Sequence, residues 1–99
     1  MEPKFVGFPW YTREDYPRVL EVMADAARLP RTFDAWEAKA QQGVQAELDK
    51  GRIPVKAELK ADLFVAWCQV RGLNVDSAGR LAWANEVARE HALHGRKGR

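Results

Sequence analysis

The sequence predicts an α+β fold with four helices and one clear strand in a minimal two-stranded sheet. Two observations carry this. Ile53, Val55, Ala57 and Leu59 alternate with Pro54, Lys56 and Glu58, the period-2 pattern of a half-buried strand over 53–59. The segments on either side repeat their apolar residues at helical spacing instead. A lone strand cannot leave its amides and carbonyls unpaired in a buried place. Its partner is therefore the short apolar stretch 4–8 or the same strand of a second subunit.

The elements follow in order. Residues 1–11 mix Pro3, Gly7 and Pro9 with Phe5, Val6, Phe8, Trp10 and Tyr11, which reads as an extended arm packed on the body. Asp15 is placed to cap the first helix, because Pro17 then falls where no donor is needed. Tyr16, Leu20, Met23 and Ala27 share a face of that helix, and Leu29-Pro30 ends it. Thr32 caps the second helix, with Asp34 in its first turn favouring the dipole. Phe33, Trp36, Ala40, Val44 and Leu48 form its apolar stripe, and Gly51 stops it.

A third helix is predicted from about Ala61 to Arg71, burying Leu63, Phe64, Trp67 and Cys68, with Gly72 at its end. Asp76 or Ser77 caps a fourth through about Leu93. There Leu81, Ala84 and Ala88 form one stripe, and Trp83 with Val87 a second that is wider than a small core requires. Residues 1–93 thus read as one domain, followed by a disordered basic tail, 94–99.

Ninety-nine residues, 46% of them apolar and 30% charged, suit one globular core burying roughly 65% of its unfolded surface. The net charge of +2 comes mostly from the tail, so it permits nucleic-acid contact without requiring it. A single cysteine, Cys68, excludes an internal disulfide framework and fits a cytoplasmic protein. No apolar run suggests a signal peptide or a membrane span.

No motif carries recognisable chemistry. Cys68 could be a nucleophile only beside a histidine in an open site, and its spacing puts it next to Phe64 on a buried face. His91 and His94 are a pair where a metal needs three or four ligands. Glu14, Asp15, Asp34 and Asp76 fall at helix starts, where capping explains them. The expectation is no enzyme, no cofactor and no metal. The helix pair at 62–89, joined through Gly72-Leu73-Asn74-Val75, has the layout of a helix–turn–helix, with Ser77, Arg80 and Asn85 as possible base or phosphate contacts.

The runs Pro9-Trp10-Tyr11, Arg13-Glu14-Asp15-Tyr16, Thr32-Phe33-Asp34-Ala35-Trp36 and Phe64-Val65-Ala66-Trp67-Cys68-Gln69-Val70-Arg71-Gly72-Leu73 resemble those of a group of short bacterial proteins with a domain of unknown function. The resemblance spans residues 9–90 and implies no catalytic residues. The leading expectation is a non-enzymatic, self-associating or protein-interaction module, a homodimer. The candidate binding residues are Trp10, Trp83 and Val87 for this module and Arg80 for the alternative, and Trp36 and Trp67 are expected in the core. The alternative is a DNA-binding accessory factor using the pair at 62–89.

Overall fold

The computed structural model describes residues 4–97. Along the chain lie β1 (Phe5–Trp10), α1 (Tyr16–Val22), a short 3-10 turn (Ala26–Arg28), α2 (Phe33–Asp49), β2 (Ile53–Glu58), α3 (Ala61–Arg71) and α4 (Ser77–Lys97). The fold is α+β, with β1 and β2 paired in parallel from Phe5↔Ile53 to Trp10↔Glu58. The partner of the alternating strand is therefore the beginning of the same chain, over 5–10 rather than 4–8. A parallel pair needs a long crossover, which α1 and α2 supply.

Two prolines sit inside this sheet without breaking it. Ile53 donates to the Lys4 carbonyl and Leu59 to the Trp10 carbonyl, both at 2.8 Å. The amides of odd-numbered β2 residues and even-numbered β1 residues thus point inward. Pro54 and Pro9 fall on the two outer edges, where a missing N–H disturbs no ladder. Each free edge lacks a donor, which discourages addition of another strand. Pairing of strands between subunits, one of the two options open in the sequence, is not how this sheet is completed.

The strands are covered unequally, and that explains their different sequence patterns. On one face α4 lies so close to β1 that a Cβ on Gly7 would stand 2.2 Å from the Ala84 carbonyl oxygen. The Phe5 ring meets His91 of α4 at 5.5 Å on that face. On the other face Trp10 meets Trp36 of α2 edge-on at 5.1 Å, and Phe8 lies against Gly43. All six β1 residues are consequently half-buried, and the strand shows no alternation. In β2, Val55 and Ala57 are buried while Lys56 and Glu58 are exposed.

The main core cluster joins Tyr11, Tyr16, Val19, Met23, Trp36, Leu59, Ala61, Phe64 and Cys68. Burial pushes the Tyr11 phenol up to about 12, against the opposing pull of Arg80. A near-ultraviolet pH titration should therefore show Tyr11 ionising only at about pH 12, and a normal tyrosine curve would contradict this packing.

Local signals place most helix ends. Thr32 Oγ1 accepts the Ala35 amide at 3.1 Å, and Gly72 closes α3 in the left-handed region at φ 67°. Asp76 Oδ1 accepts the Gly79 amide at 3.2 Å at the start of α4. Asp15 does stand at the α1 N-cap with Pro17 in the first turn. Its carboxylate, however, accepts the Ala61 amide at 2.7 Å and so serves the N-terminus of α3.

Three expectations are corrected. Helix α1 ends at Val22 rather than at Leu29, because Met23 turns extended and the Ala24 amide donates to the Val75 carbonyl at 2.8 Å. Leu63 is 64% and Leu81 59% exposed. The inward faces are Ala61, Phe64 and Cys68 on α3, and Arg80, Ala84 and Ala88 on α4. A neighbouring position is rotated about 100° away from such a face. Helix α4 also continues through Lys97, where a loose tail from 94 was predicted. Residues 98–99 of that tail lie outside the described residues. Among the described residues no helix is long and apolar enough to cross a membrane.

Candidate functional site

The exposed large apolar side chains of α3 stand on the face turned away from the core. Val70 is 83% exposed and Leu63 is 64% exposed. Leu63 lies four residues before the half-buried Trp67 and Val70 three after it, so Leu63, Trp67 and Val70 form a second apolar stripe away from the buried one. Trp83 of α4 stands beside it, its ring 5.3 Å from Trp67 and edge-on at 80°. Phe64 supports both rings from below, at 6.1 Å from Trp67 and 5.9 Å from Trp83.

Trp83 is also held by its polar end, since Nε1 donates to the Glu58 carbonyl at 3.3 Å at the end of β2. The two indoles, with Glu86, Val87 and Glu90, line a cleft of about 200 Å³. Its rim is charged. The Arg71 guanidinium lies 4.3 Å over the Trp67 ring and reaches Glu86 at 3.7 Å. Large rings held in place beside exposed aliphatic side chains, bordered by charges, make a surface suited to contact with another protein.

Of the predicted contacts, the structure brings Trp83 and Val87 together in this cleft. Trp10 is elsewhere: it packs on Trp36 and carries the Lys56 ammonium 4.6 Å over its ring. Trp36 is buried as expected, whereas Trp67, assigned to the core, lines the cleft.

Arg80 is the clearest correction. It is 8% exposed, and its guanidinium forks onto Asp25 at 2.8 and 2.9 Å while Nη1 also lies 3.3 Å from Met23 Sδ. A side chain so engaged is not available to a phosphate or a base edge, so the helix–turn–helix reading loses its principal contact. The spacing Arg80-Ala84-Ala88 already marks an inward face, with small residues leaving room for a guanidinium. The same kind of signal, Leu63-Trp67-Val70, marks the outer α3 stripe that the sequence reading placed partly in the core.

Other candidates resolve into packing. Cys68 is buried, its thiol donates to the Asn74 carbonyl at 3.6 Å, and burial, aided by Asp76, pushes its ionisation upward. That is the opposite of an activated nucleophile. Among the described residues no three histidine, cysteine or acidic side chains converge on a possible metal position. No protein-family model, curated protein or solved structure matches the chain.

Proposed function

We propose that this is a non-enzymatic cytoplasmic interaction module that self-associates as a homodimer through the outer face of α3 and the Trp67–Trp83 cleft. The observation that carries the reading is the exposure of Leu63 and Val70 on either side of Trp67. Apolar side chains grouped on a helix face beside fixed aromatic rings are characteristic of contact surfaces. A two-fold arrangement would cover the same stripe on both copies with one contact. Arg71, Glu86 and Glu90 would form its rim, where opposite charges orient the approach.

Sedimentation across a dilution series tests the reading. The wild-type chain is expected to dissociate from dimer to monomer on dilution, and Val70→Glu to weaken the dimer by at least about tenfold, since a charge must be desolvated on closure. Helix content should not change, because Val70 is almost fully exposed. A wild-type chain that sediments as monomer up to millimolar concentration would rule out self-association. An equally tight Val70→Glu dimer would move the interface off α3.

A further inference from the structure

We infer that the concavity walled by β1, the 3-10 turn and α2 is a binding site for a small planar aromatic carboxylate. Phe8, Tyr11 and Trp36 line it together with three cations, Arg28, Lys39 and Arg80, and among the described residues no carboxylate lines it. Its volume is about 280 Å³. An apolar cavity of roughly 150 Å³ accepts benzene, so one ring or two fused rings fit here.

The aromatic wall is formed in advance. The Tyr11 and Trp36 rings lie 4.8 Å apart, and the Tyr16 hydroxyl donates to the Pro30 carbonyl at 2.5 Å, fixing the loop that borders the site. Tyr11 and Trp36 are themselves buried and form the floor, so a ligand ring would rest on the half-buried Phe8, Pro9, Leu29, Pro30 and Ala40 above them, a wall that needs no ordering first, which favours binding. Tyr11 stays protonated at neutral pH, so it repels no anion.

The cations divide by role. Arg80 is committed to Asp25 and forms part of the lining without a free charge. Arg28 and Lys39 are exposed, and neither forms an ion pair among the described residues. They supply the positive charge that an apolar ring bearing a carboxylate would meet at the border of the site. A neutral ring would forgo that attraction and a cationic one would be repelled. The site shares no residue with the α3 stripe, so it does not depend on self-association.

Amide NMR titration of the full chain with naphthoate, naphthylmethanol and naphthylmethylamine tests this. Saturable shifts are expected at Tyr11, Leu29, Trp36 and Lys39, with naphthoate at least about tenfold tighter than the alcohol and the amine weakest. The double variant Arg28→Gln, Lys39→Gln should bring naphthoate down to the affinity of the alcohol. Both positions are exposed, and the spectrum itself reports whether the fold is kept; the single variants serve should the pair disturb it. The inference fails if naphthoate and naphthylmethanol bind equally, or if the double variant keeps the preference. It also fails if no saturable shift appears by millimolar ligand, or if the shifts fall at Trp67 and Trp83.

Discussion

Replacing Gly7 with alanine is expected to destabilise the protein by about 3 kcal/mol. The new Cβ would stand 2.2 Å from the Ala84 carbonyl oxygen and 2.7 Å from its carbon. These are backbone atoms inside α4, so no rotamer change can clear them. The helix must lift from the sheet, loosening Val55, Ala57, Ala84 and Ala88 together. For a domain whose whole stability is of order 5–15 kcal/mol, that is a large fraction. Urea denaturation reads the effect as a lower midpoint at unchanged slope. Gly43→Ala is the control. Its Cβ would meet only the Phe8 ring, at 3.2 Å, and gains up to about 1 kcal/mol of helix propensity, so the two terms should nearly cancel. Equal midpoints for wild type and Gly7→Ala would mean that α4 does not approach β1 this closely.

Asp25→Ala should cost a similar amount, about 3 kcal/mol, because it leaves the Arg80 guanidinium buried without its counter-charge. Arg80→Met should be milder, since the Asp25 side chain is 18% exposed and can hydrate once freed. The pair also sets an acid dependence. Hydrogen bonding and the charge of Arg80 hold the Asp25 carboxyl below its ordinary value despite partial burial. A depressed carboxyl means that the unfolded chain binds the proton more readily. Its contribution is therefore complete above the unfolded value of about 4 and is lost as pH falls through the lower folded one. In Asp25→Asn this part of the acid destabilisation should vanish. Urea midpoints at neutral pH and at about pH 3 decide it, and an identical fall in both proteins would show that Asp25 is not the group responsible.

The legible parts of the fold are those whose cause lies within a few residues. Thr32 reaches only three positions ahead to cap α2, and Gly72 closes α3 by its own backbone freedom. Strand β2 declares itself because one of its faces is largely free, so polar and apolar residues alternate. Strand β1 does not, since α4 and α2 cover both faces. The candidate site was half legible. Trp83 and Val87 stood out as apolar residues beyond the needs of the core, while Trp67 was hidden by its neighbours Phe64 and Cys68, which do belong there.

The amino-acid order by itself determined the α+β class, the four helices, most of their caps and the strand predicted over 53–59, which the structure ends at Glu58, because hydrophobic period and capping chemistry act locally. Only the tertiary structure decided that the strands run parallel within one chain and that Asp15 caps a helix 46 residues away. It alone placed Arg80 inside, against an aspartate 55 residues earlier. A buried charge or an unfilled helix end takes whichever partner packing brings within about 3 Å, and no local pattern names that partner.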